Sequence, residues 1–295
     1  MTRPSFFVLG AARCGTTSLH HYLGAHPGVF VTAKKEPTYF AHDGFPDPFY
    51  DKNRRGWVRN ESDYLALFAD AAPGQVAGEA SPATLAHPEA PARLAAFAPD
   101  ARLVVLLRDP IERAHSQFLL RSMRGSETLG FEAAVREELP HLGSLWTGSR
   151  HYLRLGLYGA QLGPWLEAFP RDQLFVGLHR DLAADPAALV RRVFAHIGAD
   201  ASLRPAVGTR YSMTGVPRSR VVARVFGSQG LKRVVRATLP RSVIGPVGRR
   251  LRRRAFVRPE IAPALRAELA GLFRPDVARA EALLGLDLSH WLSAP

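Results

Sequence analysis

The stretch SFFVLGAARCGTTSLHHYL, residues 5–23, decides the fold of this chain. Ser5 to Gly10 is a short apolar run ending in glycine, the pattern of a buried strand. From Thr16 onward the sequence predicts a helix, with Thr16 or Thr17 near its N-cap. Between them, Gly10 and Gly15 frame a loop whose backbone N–H groups converge at the positive end of the helix dipole, where an anion is stabilised. The spacing fits the phosphate loop of nucleoside triphosphatases, G-x-x-x-x-G-K-[ST], but Thr16 stands where that motif has lysine. The lysine of that motif serves β- and γ-phosphates, and the following hydroxyl holds magnesium. Here hydroxyls and amides face the anion, and Arg13 is the candidate cation, displaced to another position of the loop. A glycine turn that merely tightens a strand–helix junction is the competing reading of these two glycines alone.

Working outward, four more apolar runs read as strands: GVFVT (28–32), QVAGE (75–79), RLVVLLRD (102–109) and QLFVGL (173–178). Helical patterns separate several of them: SDYLALFADA (62–71), PEAPARLAAFA (88–98), PIERAHSQFLLRSM (110–123), GAQLGPWLEAFP (159–170) and PAALVRRVFAHIG (186–198). Strands alternating with helices predict an α/β fold: a P-loop-like central parallel sheet of about five strands, flanked by helices. Ser212 to Pro259 reads as a loop followed by basic helices. A further helical pattern runs from Pro263 to Leu284, with a break expected near Pro275. No repeat or linker divides the chain, so residues 1–295 read as a single domain with a basic helical C-terminal part.

Composition narrows the class. At 46 % hydrophobic residues the chain is an ordinary globular sequence, and no apolar run is long enough to span a bilayer. The lone cysteine, Cys14, excludes an intrachain disulfide; that usage fits a soluble protein of the reducing cytoplasm. The net charge is +13, yet between Asp200 and Glu260 there are fifteen Arg or Lys and no acid, so the remainder is close to neutral. One segment, 201–259, carries the basic balance. It reads either as a solvated cover over a site or as basic amphipathic helices in peripheral contact with an anionic membrane or acceptor. No nucleic-acid-binding motif accompanies the arginines.

A second motif is LLRDPIERAHSQF, residues 106–118. It places Arg108 at a strand end and Ser116 eight residues later on the next helix, where a guanidinium and a hydroxyl can converge on one phosphate. A Walker-B strand would instead end in an acid that holds magnesium. RCGTTSL (13–19) and this motif together resemble the 5′-phosphosulfate loop and the 3′-phosphate motif of sulfotransferases that use 3′-phosphoadenosine-5′-phosphosulfate (PAPS). At the cation position of the loop the heparan sulfate branch has lysine, and the tyrosylprotein branch has arginine, as here. KEPTYF (35–40), GEASPAT (78–84), SMTGVPRSR (212–220) and DLSHW (287–291) resemble further family segments in the same order.

The resemblance implies a donor site formed by Arg13, Cys14 (through its backbone), Gly15, Thr16, Thr17 and Ser18 at the 5′ end. Arg108, Ser116, Gly215 and Arg218 belong to its 3′ end. It also implies Glu36 as catalytic base, Arg13 as the cation at the transferring group, PAPS as co-substrate, adenosine 3′,5′-bisphosphate (PAP) as product, and no metal. The acceptor is a small molecule, lipid or glycan bearing a hydroxyl or, second, an amine. Two positions depart from the heparan sulfate branch: Thr38 replaces a histidine and Ala80 a lysine. Competing readings stay open at this point. Arg108 can simply pair with Glu112 or Asp109, Glu36 can be a solvated charge beside two lysines, and the whole can be a non-catalytic PAP/PAPS-binding protein or a P-loop kinase. His20 and His21 are adjacent on a helix and make a poor metal pair; His26 reads as a turn residue and His115 as packing.

Overall fold

The computed structural model describes residues 2–42, 57–142, 150–207, 216–217, 256–257 and 259–293. Each apolar run forms its strand: β1 (Phe6–Gly10), β2 (Val29–Val31), β3 (Val76–Ala80), β4 (Arg102–Leu107) and β5 (Leu174–Leu178). They make one parallel sheet in the order β2-β3-β1-β4-β5. All five residues of β1 and the last five of β4 are buried, which is why these strands read as unbroken apolar runs rather than alternating ones.

Helices cover both faces. α1 (Thr16–Leu23), α2 (Glu61–Ala66), α3 (Ala90–Phe97), α4 (Pro110–Arg124), α5 (Phe131–Glu138), α6 (Tyr158–Ala168), α7 (His179–Ala184) and α8 (Pro186–Ile197) follow in chain order, and α9 (Pro263–Leu284) comes late. α1 packs on α8, which lies against β4 and β5; α6 packs on α3 and α9. Right-handed crossovers require this division, because the chain leaves β1 in one direction across the sheet and returns from β3 to β4 in the other. β1 is therefore the strand at which the direction of winding reverses. Beyond the carboxyl ends of strands at such a reversal an open α/β sheet has its ligand crevice.

Three expectations are corrected. α5 and α7 were not visible as separate helical patterns; each is short, and each is followed directly by another helix or turn. α9 does not break at Pro275. Phe273, Val277, Ala280 and Leu284 are buried on either side of the proline, and Asp276 accepts the Gly159 and Ala160 N–H groups (2.8 Å each) at the start of α6. Packing on both sides of the proline holds the helix through it, at the cost of one backbone hydrogen bond. Within Ser212–Pro259, Val216–Pro217 (β6) pairs antiparallel with Phe256–Val257 (β7), where no strand was expected. The basic helices expected between them lie outside the described residues. No helix among the described residues is long and apolar enough to cross a membrane.

Candidate active site

The glycine loop leaves β1 and is fastened at once to β4, where the Ala11 N–H donates to the Leu106 carbonyl (2.8 Å). Arg13 (φ 73°) and Gly15 (φ 100°) both take left-handed backbone. Gly15 is the N-cap of α1 and Thr16 its first helical residue, so neither threonine caps the helix with its side chain. Thr16 thus stands beside the cap, as expected, and glycine suits the cap itself: it holds the left-handed turn without the penalty a Cβ brings, and a Cβ there would also meet Leu182 Cδ2 at 2.6 Å. The first intrahelical bond runs from Leu19 N–H to Gly15 O (3.1 Å), which leaves the N–H groups of the first turn without intrahelical acceptors. Thr16, Thr17 and Ser18 supply those amides; Thr16 is buried, and Thr17 and Ser18 are half-buried.

Cys14 faces inward. Its side chain is fully buried, its Sγ lies 3.6 Å from the Tyr158 Oη of α6, and burial pushes its thiol pKa up. A buried thiol held in its neutral form is a poor nucleophile.

β4 ends at Leu107, and Asp109 caps α4 by accepting the Ile111 (2.8 Å) and Glu112 (3.1 Å) N–H groups, with Pro110 as first helical residue. Such a cap contributes about 1 kcal/mol and fixes the strand–helix junction that carries Arg108. On α4, the Ser116 Oγ meets the Arg13 guanidinium at 3.3 Å (Nε) and 3.1 Å (Nη2). The two sequence motifs thus meet at one point, through residues 103 apart in the chain. Burial lowers the Arg13 pKa to about 10, and Arg108, Arg113 and Arg124 press it the same way. It remains a cation at neutral pH, in a cluster whose charge favours an anion.

Arg108 donates to Glu112 (3.0 Å), so one of its competing pairings is present; Asp109 pairs instead with Arg266 of α9 (2.7 Å). Arg266 also approaches Glu112 at 3.8 Å. Gly215 and Arg218 lie outside the described residues, but β6 between them sits against α4, the helix of Ser116.

Glu36 lies beyond β2. Its N–H donates to Ala80 O (3.1 Å) at the end of β3, its carboxylate pairs with the Lys35 ammonium, and its side chain is 53 % exposed. Glu36 (φ 61°) and Thr38 (φ 56°) are both left-handed, an uncommon state for residues with a Cβ. His20 of α1 is buried nearby; burial first, then Lys35 and His21, lower its pKa to about 4, so its imidazole is neutral. His26 is a turn residue: Nδ1 accepts the Gly28 N–H (3.0 Å) and Nε2 reaches Asp200 O (3.0 Å). His115 packs against Phe131 at 4.9 Å between ring centroids.

Arg113, Arg266 and Ser81 escaped the sequence reading as parts of a site, and Glu79 entered it only as the carboxylate to test after Glu36. Arg113, fully buried, donates to Gln117 Oε1 (2.7 Å) and to the Tyr152 carbonyl. Arg266 joins from a distant helix. Glu79 and Ser81 form a buried pair below Glu36. Only the Arg113–Gln117 spacing of four on a helix offered any signal in advance.

Residues 4–202 match the sequence profile of the Sulfotransferase family. The chain belongs to that family. Mouse heparan sulfate glucosamine 3-O-sulfotransferase 6 is 32 % identical over 197 residues, which is 66 % of this chain and 52 % of that protein. Human carbohydrate sulfotransferase 15 is 28 % identical over 241 residues, covering 65 % of this chain and 43 % of the relative. The chain spans about half the length of the curated relatives it matches. Among solved structures, a sulfotransferase from Alicyclobacillus acidocaldarius superposes with a TM-score of 0.77 at 30 % identity, over 99 % of this chain and 100 % of that one. The five-stranded parallel sheet flanked by helices is therefore a sulfotransferase fold.

Proposed function

We propose that this sulfotransferase, acting as a single domain over residues 1–295, moves a sulfuryl group from PAPS to a hydroxyl acceptor by in-line displacement. The meeting of Arg13 with Ser116, beside Arg108, carries the proposal. It joins a loop suited to the 5′-phosphosulfate to a motif suited to the 3′-phosphate at one cationic edge. In this reading the amides of the α1 N-terminus, with Thr16, Thr17 and Ser18, hold the 5′ end, while Arg108 and Ser116 hold the 3′-phosphate. Glu36 takes the proton of the acceptor hydroxyl as its oxygen bonds to sulfur. The bond from sulfur to the bridging phosphate oxygen breaks, PAP leaves, and Arg13 offsets the charge gathering on that oxygen.

A glycan hydroxyl is the acceptor class we favour, because the relatives above are named for heparan sulfate and carbohydrate. Thr38 and Ala80, at positions where the heparan sulfate branch carries histidine and lysine, argue for an acceptor other than heparan sulfate itself.

Donor choice is the first test. PAP should raise the thermal midpoint well above the shifts given by AMP or ATP, through preferential binding to the folded state. Arg108→Ala should abolish that preference. Equal shifts from the three nucleotides would remove the case for PAPS. Turnover of labelled PAPS against pooled glycans, phenols and lipids then identifies the acceptor; binding of PAP without turnover on any of them would leave a nucleotide-binding protein.

A further inference from the structure

The Lys35–Thr38 turn holds two left-handed residues with side chains, a state that persists only where the surroundings over-determine it. Two of its fastenings lead to the end of β3, while its Pro37 carbonyl accepts the Val58 N–H (2.9 Å). Glu36 N–H donates to Ala80 O (3.1 Å), and Thr38 N–H donates to Ser81 Oγ (3.0 Å). Within the turn, Thr38 Oγ1 donates back to the Glu36 carbonyl (3.0 Å). Ser81 Oγ in turn donates its hydrogen bond to Glu79 Oε2 at 2.7 Å, and the Ser81 N–H is anchored to Val8 O of β1 (3.1 Å). Glu79 and Ser81 are 2 % and 1 % exposed.

A hydroxyl that must accept one N–H has a single proton to aim, and a buried carboxyl oxygen fixes where it points. We infer that Glu79, acting through Ser81, is a positioning residue that sets the turn presenting Glu36 to the acceptor. This inference rests on Glu36 being the general base. A glutamate is rarely buried without an ionic partner, and here burial raises its pKa to about 8 against the Ser81 hydrogen bond, with the charge of Glu36 raising it further and Lys35 opposing. Tyr64 of α2, fully buried, is the other titratable group that feels Glu79. At neutral pH Glu79 is therefore mostly the neutral acid. It keeps an acceptor oxygen for Ser81 while adding little negative charge beside Glu36.

Four single variants, Glu36→Gln, Ser81→Ala, Glu79→Leu and Glu79→Gln, and the Ser81→Ala/Glu79→Leu double variant test this, assayed by release of PAP from PAPS, with the PAP thermal shift as a check on fold and donor site. Ser81→Ala and Glu79→Leu should each lower kcat by about 10- to 100-fold, the scale of an ångström-sized misplacement of a reacting group. KM for PAPS should move less than about threefold, and the double variant should be no worse than the poorer single one. Glu79→Gln, which still offers an oxygen to Ser81, should recover most of what Glu79→Leu loses. A crystal structure of Ser81→Ala should show Glu36 and Thr38 relaxed out of the left-handed region. If Glu79→Leu does not fold, Ser81→Ala and Glu79→Gln carry the test. Wild-type kcat in Ser81→Ala, an unmoved turn in its structure, or Glu79→Gln as slow as Glu79→Leu would each overturn the inference. Loss of turnover in Glu36→Gln beside a normal Ser81→Ala overturns the positioning role alone, whereas near-normal turnover in Glu36→Gln overturns the base itself.

Discussion

Arg13 gathers three other guanidinium groups around it, and its hydrogen bonds go to the Ser116 hydroxyl. Such a residue is poorly neutralised by its own protein, which is what a loop needs if it is to draw a dianion. Glu36 is its opposite in situation, half-exposed and with its carboxylate paired to its neighbour Lys35. Glu36→Gln keeps the shape and removes the basicity, so kcat should fall by roughly two to four orders of magnitude while the PAP-induced thermal shift survives; a turnover assay alongside the melting curve reads both. Glu79 makes a separate prediction about stability. Its folded pKa of about 8 lies above the ordinary 4.5, so the folded state holds the proton more tightly than the unfolded chain does. The stability this contributes is complete below about 4.5 and is lost as pH rises through about 8. Denaturant titrations at several pH values should therefore show a downward slope over that window that is absent in Glu79→Gln. At this scale the sequence singled out the candidate residues of the glycine loop, because loop spacing alone marks them. It offered Glu79 only as an alternative base and hid its pairing with Ser81, because burial of that carboxyl is a property of the fold.

Helix ends and strand ends hold the candidate site residues, and most of these ends were legible. Five apolar runs gave five strands, and the Asp109–Pro110 cap marked the start of α4 where the sequence had it. Long-range packing decided the remainder. α9 is the clearest instance: proline lowers helix propensity wherever it falls, yet Asp276 and four buried apolar residues on α9 outweigh it. Because Pro275 itself is solvent-exposed, Pro275→Ala should restore the missing backbone bond without disturbing a contact. We expect a gain of about 1–3 kcal/mol, read as a higher midpoint in chemical denaturation, with PAP binding unchanged. The 150–154 segment was equally illegible. Its carbonyl at Tyr152 is taken by Arg113, and its N–H groups at Tyr152, Leu153 and Arg154 by the buried Glu138, partners supplied by two other helices.

Across the whole molecule, the sheet order brings the ends of β1, β3 and β4 side by side, and with them three segments far apart in sequence. Alternation of strands and helices was enough to foresee a parallel sheet; which strand lay at its centre was not, since that depends on the two directions of winding. The same arrangement wedges the glycine loop between the sheet and α6, and it is there that the chain keeps its sole thiol, shut in against Tyr158. That makes Cys14 a built-in clock. A thiol reagent such as 5,5′-dithiobis(2-nitrobenzoate) can mark it only when the loop lifts away from its seat, so the colour that develops counts excursions of one loop rather than unfolding averaged over the chain. Native protein should react orders of magnitude more slowly than denatured protein, and PAP should slow it again. Prompt labelling of the native protein, or a rate indifferent to PAP, would mean that the seat opens independently of the nucleotide.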